Sequence, residues 1–203
     1  MLQQAISLHL ITNNNTDKLM NIVSQAIAGG VDYIQLRNKQ LDKLFLFEIG
    51  KQLLTLTRPK KIPLIINDHI DLAVALDAEG VHLGQTDLPV SFARKLLGKK
   101  KIIGLSIQTI AQAENAIHAD ADYFGVGPVF PSTTKTDAAA MGLIHLKKIT
   151  EILKKPCIAI GGITIENVPE VLGCHVSGIA VVSGICDAKN PMAATKNYIS
   201  LLK

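Results

Sequence analysis

A short apolar run followed by a helical pattern recurs eight times along this chain, and this repetition most constrains the fold. The apolar runs are nearly continuous, as in parallel strands covered on both faces, and lack the alternation of a half-exposed sheet. The predicted strands are residues 7–11, 32–37, 63–66, 80–83, 101–106, a run that begins at Tyr123, 156–160 and 178–182. The predicted helices are residues 18–28, 41–56, about 70–76, 89–97, 111–119, about 142–153, 168–172 and 191–202.

Eight consecutive units predict the α/β class and a single (βα)₈ TIM barrel domain that spans residues 1–203. An open, doubly wound sheet is the alternative. That fold usually has fewer strands, and no strand here is followed by G-x-G-x-x-G. A chain of 203 residues, 48% of them hydrophobic, is long enough to bury a full core without disulfides.

The amino-acid composition limits the cellular compartment and the kinds of binding partner that can be expected for this protein. The three cysteines, Cys157, Cys174 and Cys186, are odd in number and lack metal-ligand spacing, which indicates reduced thiols. The N-terminus resembles no signal peptide, and no apolar run approaches the roughly 18 residues that span a bilayer, so we expect a cytoplasmic protein without a membrane partner. The net charge is +4, but the lysines are scattered and aromatic residues are few. This pattern argues against a nucleic-acid partner and favours an anionic small molecule.

Polar residues recur where the predicted strands end. In a closed barrel these positions share one rim, and active sites of this fold lie on that rim. Charged residues that precede strands, such as Asp32 and Glu79, belong to the opposite end, where we expect them to be solvated. The residues at or just after strand ends are Arg37, Asn67, Asp68, Asp87, Ser106, Lys135, Gly162 and Ser183.

Two carboxylates on this rim are candidate metal ligands. Asp68 and Asp87 follow consecutive strands, and Mg²⁺ in proteins favours one or two carboxylates together with water and substrate phosphate. Each residue also has a structural interpretation. Asp68 could cap the helix that begins near Ile70, and Asp87 could be a turn residue before Leu88-Pro89.

Two further segments suit phosphate groups. Gly161-Gly162 and Ser183-Gly184 follow the last two strands, where this fold commonly binds a phosphate through backbone N–H groups, although a tight turn without a ligand is the alternative. Residues 132–137 offer hydroxyls and the ammonium of Lys135, or form a solvated surface turn. Together with Arg37 and Lys39, these segments predict a substrate pair that carries a diphosphate and a monophosphate. His82 lies within an apolar strand and is expected to be a buried, hydrogen-bonded histidine.

Seven motifs in order along nearly the whole chain resemble the thiamine phosphate synthase family, also called thiamine-phosphate pyrophosphorylases. Each motif alone is weak, and their common order is what makes the resemblance specific. The motifs are Gln35-Leu36-Arg37-Asn38-Lys39, Asn67-Asp68, Gly80-Val81-His82-Leu83-Gly84-Gln85-x-Asp87, Gly104-Leu105-Ser106, the segment from Gly125 to Lys135, Ile160-Gly161-Gly162-Ile163 and Val181-Val182-Ser183.

The resemblance implies a transferase that joins 4-amino-2-methyl-5-(diphosphooxymethyl)pyrimidine to hydroxyethylthiazole phosphate, giving thiamine phosphate and pyrophosphate. It implies that Mg²⁺ is the cofactor, bound by Asp68 and Asp87, and that Arg37, Lys39 and Lys135 are catalytic through their charge. Loss of pyrophosphate from the electron-rich pyrimidine agrees with a dissociative path that needs no protein nucleophile. The implied pyrimidine diphosphate site comprises Gln35, Arg37, Lys39, Asn67, Ser106 and Lys135, and the implied thiazole phosphate site comprises Ser132, Thr134, Gly162, Val182 and Ser183.

The chain departs from the family pattern at a few positions. Asn38 replaces the usual Glu and puts one contact in doubt, whereas Ser132 replaces Thr and keeps the hydroxyl. Cys174-His175-Val176 replaces a common Gly-Ala-Asp. Two other functions stay open on the same barrel, namely a thiazole tautomerase-like isomerase, which would not need the diphosphate residues, and a non-catalytic barrel that binds a phosphorylated metabolite.

Overall fold

Eight parallel strands form a closed barrel in the computed structural model, which describes residues 6–131 and 139–203. The strands pair in chain order, and β1 also pairs with β8, which closes the ring. The predicted (βα)₈ TIM barrel is therefore confirmed. The strands are β1 Ser7–Ile11, β2 Tyr33–Leu36, β3 Leu64–Asn67, β4 Gly80–Leu83, β5 Ile102–Ile107, β6 Tyr123–Val126, β7 Cys157–Ile160 and β8 Gly178–Val181.

A helix follows each strand. One additional short helix, α8, precedes the last helix and was not predicted from the sequence. Helices pack apolar stripes on the barrel, as in α1, where Leu19, Ile22, Val23 and Ala26 are buried at helical spacing. A 3₁₀ turn, Arg58–Lys60, extends α2. The helices are α1 Leu19–Gly29, α2 Lys43–Thr57, α3 Ile70–Ala75, α4 Val90–Leu97, α5 Ile110–Ala116, α6 Gly142–Ile152, α7 Val168–Leu172, α8 Ser183–Cys186 and α9 Pro191–Leu202.

All three cysteines are buried and free of disulfides, as the sequence predicts. Burial raises the pKa of the Cys157 thiol to about 12 and that of Cys186 to about 11. Both groups therefore stay protonated at neutral pH and act as small apolar side chains of the core. Within the described ranges, no helix combines the length and apolar character needed to cross a bilayer.

Acidic residues at the N-terminal end of the barrel do more than contact solvent, which corrects the expectation for Asp32 and Glu79. Asp32 accepts a hydrogen bond from the backbone N–H of Leu8 at 2.8 Å, and Glu79 accepts one from Leu64 at 2.9 Å. These carboxylates bind strand N–H groups that the barrel ladder leaves unpaired, so this end of the molecule has a structural role.

Candidate active site

A cavity of about 300 Å³ opens at the C-terminal ends of the strands, and seven of the predicted substrate-binding residues line it. Strand order explains this convergence, because parallel strands in a closed barrel bring their C-terminal ends to one rim. Asp68 and Asp87 follow β3 and β4 at the same end. Ser132, Thr134 and Lys135 lie outside the described residues. The seven lining residues are Gln35, Arg37, Asn67, Ser106, Gly162, Val182 and Ser183.

Arg37 is held by Thr12, a residue that the sequence analysis missed. Thr12 directly follows β1 and is 1% exposed. Its Oγ1 accepts a hydrogen bond from the Arg37 N–H at 2.9 Å and donates to the Arg37 carbonyl at 3.1 Å. The Thr12 N–H also donates to the Gln35 carbonyl at 2.9 Å. The threonine thus continues the pairing of β1 with β2 beyond the strands and fixes the backbone from which the guanidinium projects.

Asp68 and Asp87 lie close enough to interact directly. Burial, followed by the charge of Asp87 and a hydrogen bond with it, raises the pKa of Asp68 above its usual range. The ammonium of Lys39 is 3.8 Å from Asp68 Oδ2 and offsets this effect only in part. Two carboxylates that repel each other beside the cavity, where Asp68 directly follows the lining residue Asn67, are suited to share a hard cation.

The structural interpretation of Asp68 as a helix cap is wrong, whereas that of Asp87 as a turn residue is confirmed. His69 is the N-cap of α3, and Asp68 adopts a left-handed backbone conformation with φ +64°. Asp87 Oδ2 accepts a hydrogen bond from the Gly84 N–H at 2.6 Å. Across the part of the chain that the structure describes, no group of three or more His, Cys, Asp or Glu side chains could hold a metal. A cation at this pair would need water or substrate oxygens as its other ligands.

The glycine pair after β7 has a conformation and surroundings that exclude side chains. Gly161 has φ +98° and Gly162 has φ +63°. A Cβ on Gly162 would lie 2.6 Å from the Pro131 carbonyl oxygen and 2.7 Å from Phe130 Cβ. Both glycines also line the cavity, so their backbone forms part of its wall. Ser183, the first residue of α8, lines the same cavity, so the two segments that the sequence predicts to bind a phosphate lie on one cavity.

Buried aromatic and imidazole side chains line the inner part of the cavity. His82 is bonded through Nδ1 to the Tyr123 hydroxyl and through Nε2 to Ser106 Oγ, each at 2.9 Å, which confirms the expectation of a buried, hydrogen-bonded histidine. His9 also lines the cavity and stacks on Tyr33 with a centroid separation of 4.3 Å. The sequence analysis missed His9 and Tyr123, and their inward alternation along β1 and β6 is the signal that points to them.

Asn38, which replaces a carboxylate of the family pattern, stabilises its own loop. Its Oδ1 accepts hydrogen bonds from the N–H groups of Gln40 at 2.9 Å and Leu41 at 3.2 Å. The side chain is 9% exposed. Asn38 therefore has a structural role that does not require a charge.

Comparison with known proteins agrees with this geometry. The family model described as thiamine monophosphate synthase matches residues 8–185, which is most of the chain. The chain belongs to the thiamine monophosphate synthase family. A thiamine-phosphate synthase of Methanobrevibacter smithii is 43% identical over 200 residues, covering 98% of this chain and 96% of the relative. A thiamine-phosphate synthase of Clostridium acetobutylicum is 45% identical over 185 residues, covering 90% and 88%.

A solved structure supports the same assignment. The thiamine phosphate pyrophosphorylase of Pyrococcus furiosus superposes with a TM-score of 0.90 at 38% identity and covers 100% of this chain and 98% of that chain. At this identity the likeness extends beyond the general barrel fold. The enzyme family expected from the seven motifs is therefore confirmed.

Proposed function

We propose that this protein condenses 4-amino-2-methyl-5-(diphosphooxymethyl)pyrimidine with hydroxyethylthiazole phosphate to give thiamine phosphate and pyrophosphate. The observation that supports the proposal is that two groups of residues suited to bind anions lie at the same end of the barrel. On one side the charge of Arg37 acts on Asp68, which interacts with Asp87, and on the other Gly162 and Ser183 line the same cavity. A diphosphate and a monophosphate substrate would bring their reacting ends together between these sites.

The pyrimidine diphosphate would bind on the β2–β5 side. Arg37 and Lys39 would neutralise the departing pyrophosphate, while Gln35, Asn67 and Ser106 would orient the substrate by hydrogen bonds. Lys135 is assigned to the same charge-neutralising role by the family resemblance. The protein need only stabilise separated charge and align the two rings, which supports a dissociative reaction in which the thiazole nitrogen captures the pyrimidine cation.

The thiazole phosphate would bind on the β7–β8 side. Gly162 contributes only backbone to the cavity wall and could offer its N–H to a phosphate, and Val182 and Ser183 line the same cavity. Ser132 and Thr134 are assigned to this site by the family resemblance, through their hydroxyl groups.

Mg²⁺ would be held by Asp68 and Asp87. The closeness of the two aspartates supports this proposal, because a divalent cation would offset the burial of Asp68 and its repulsion by Asp87, which together raise the pKa of Asp68. When bound, the ion would supply positive charge next to the diphosphate. Lys39, whose ammonium is 3.8 Å from Asp68, would place a further positive charge beside the two aspartates.

The deciding experiment is an assay of pyrophosphate release with both substrates, run once in the presence of Mg²⁺ and once in the presence of EDTA. We expect release only when both substrates and Mg²⁺ are present. Asp87→Asn keeps an oxygen for the Gly84 N–H but removes the charge, and should lower kcat by at least about 100-fold. Asp71→Asn is the matched control, because Asp71 is an exposed carboxylate on α3 that pairs with the exposed Lys43 at 2.7 Å. Full turnover in EDTA would overturn the metal assignment.

The same assay distinguishes the isomerase alternative. A tautomerase would convert a thiazole phosphate without the pyrimidine substrate and would not depend on Asp87. The interacting carboxylates Asp68 and Asp87 favour the transferase, because an isomerase with only a phosphate cup has no use for them. Turnover of the thiazole substrate alone, unchanged in Asp87→Asn, would support the isomerase.

A further inference from the structure

Four side chains form a continuous hydrogen-bonded chain across the inner cavity, from Gln35 on β2 to Ser106 on β5. Gln35 is hydrogen-bonded to the Tyr123 hydroxyl. That hydroxyl lies 2.9 Å from His82 Nδ1, and His82 Nε2 lies 2.9 Å from Ser106 Oγ. Both ends of the chain are residues proposed to bind the pyrimidine substrate, whereas the two middle residues have no assigned role.

The barrel makes room for the middle pair with glycines. In the register, Gly104 of β5 pairs with His82 on one side and Tyr123 on the other. A Cβ on Gly104 would overlap both His82 Nδ1 and the Tyr123 ring. A Cβ on Gly125, the partner of Ser106, would lie 2.9 Å from His82 Cε1. The histidine and tyrosine can meet across β5 only because these two positions lack side chains.

The chain also has a direction. Gln35 donates an amide hydrogen to the Tyr123 oxygen, and burial raises the pKa of Tyr123, so the phenol keeps its own hydrogen. Of the residues that the structure describes, His82 places a ring nitrogen, Nδ1, 2.9 Å from this hydroxyl, where it can accept the phenol hydrogen. With Nδ1 as acceptor, the neutral imidazole carries its hydrogen on Nε2 and donates it to Ser106 Oγ.

We propose that Tyr123 and His82 are positioning residues that select this imidazole tautomer and thereby turn the Ser106 hydroxyl hydrogen into the cavity. A serine oxygen that already accepts from His82 is left to donate, which is the direction needed to bind an anionic oxygen of the diphosphate. The inference rests on the proposed function for the identity of the substrate. It adds that His82 and Tyr123 are needed to orient the Ser106 hydroxyl, although they need not touch that substrate.

Two substitutions at His82 separate this role from simple packing. The amide nitrogen of Gln reaches the position of Nε2 and can donate to Ser106, whereas that of Asn reaches only the position of Nδ1. We expect His82→Asn to lower kcat/KM by about 10- to 100-fold, the worth of a hydrogen bond to a charged group, and His82→Gln to lower it by less than about fivefold. A packing role predicts similar losses, because both variants remove the ring.

A double-mutant cycle tests whether His82 acts through Ser106. In a Ser106→Ala background, His82→Asn and Tyr123→Phe should each cost less than about twofold further. The inference would be overturned if the loss of kcat/KM caused by His82→Asn multiplied with the loss caused by Ser106→Ala. It would also be overturned if His82→Asn and His82→Gln lowered kcat/KM equally. If urea unfolding shows that His82→Asn does not fold, the same cycle can be measured with Tyr123→Phe, which removes only the hydroxyl and keeps the aromatic ring.

Binding of inorganic pyrophosphate, measured by calorimetry, keeps the inference distinct from the proposed function. We expect His82→Asn to weaken this binding about tenfold in the parent protein and to leave it unchanged in the Ser106→Ala background. Absence of turnover in the parent protein would refute the transferase proposal, while the binding cycle would still decide the role of His82. Equal weakening in both backgrounds would refute that role.

Discussion

The neutral state of His9 makes the stability of the barrel depend on pH. His9 is 4% exposed, and its ring stacks on Tyr33 with an interplanar angle of 13°. It also contacts Ser7 Oγ at 3.1 Å and lies 5.7 Å from the Tyr123 ring centroid. Burial, and secondarily repulsion by His82, lower the pKa of His9 from 6.5 to about 3. These neighbours include no carboxylate that would stabilise an imidazolium.

The sign and size of the effect follow from linkage. The unfolded chain binds a proton at His9 below pH 6.5, whereas the folded protein resists it until about pH 3. The stability that the folded state owes to an uncharged His9 is therefore complete above pH 6.5 and is lost progressively as the pH falls below that value. At about 1.4 kcal/mol per pH unit, lowering the pH to 5 costs about 2 kcal/mol from this group alone. That is a substantial part of the 5–15 kcal/mol typical of a folded domain.

Urea unfolding of the parent protein and of His9→Phe from pH 8 to pH 5 measures this cost. Phe keeps a ring against Tyr33 but cannot bind a proton, so the difference in unfolding free energy should be constant above pH 7 and shift by about 2 kcal/mol at pH 5. His118→Gln is the matched control, because His118 is exposed on the surface. Parallel curves for the parent and His9→Phe would refute the argument from burial.

Three other variants test particular contacts. Thr12→Val removes the hydroxyl that binds both backbone groups of Arg37 and should raise KM for the diphosphate substrate about tenfold, while Thr12→Ser should not; equal effects in steady-state assays would contradict this role. Gly162→Ala should raise KM for the thiazole phosphate more than about tenfold and cost about 2–5 kcal/mol in urea unfolding, because a left-handed backbone and a Cβ 2.6 Å from the Pro131 carbonyl oxygen both oppose alanine, with KM for the diphosphate unchanged. Glu79→Ala should cost about 1–3 kcal/mol, because the Leu64 N–H loses its acceptor, whereas Glu79→Gln should cost less than about 1 kcal/mol; similar losses in urea unfolding would refute this.

The barrel and its rim were predictable because their signals are local. A buried parallel strand is a short apolar run, and β4 at Gly80–Leu83 and α9 at Pro191–Leu202 have the predicted bounds. Once the strand ends are known, the fold itself assigns Arg37 and Ser183 to one mouth. No knowledge of distances is needed for that step.

The interior contacts were not predictable in this way. Thr12 bonds to a residue 25 positions away, and His82 bonds to one 41 positions away. Such contacts depend on the stagger of neighbouring strands, which apolar runs do not specify. Gly125 illustrates the limit. The sequence analysis named it only as the first residue of a family motif, but it lies within β6 and leaves space for the His82 ring.

Asp68 shows why a local signal can favour the wrong role. An aspartate two residues before a helix is as typical of a cap as of a ligand, and composition does not separate the two. One backbone angle does, because a capping residue usually has extended geometry, whereas φ at Asp68 is +64°. That angle is held by the Asp68 N–H, which donates to the His82 carbonyl on the neighbouring strand at 2.8 Å. The backbone geometry of Asp68 is thus set by a contact with β4, and Asp68 interacts with Asp87 beyond the end of that same strand.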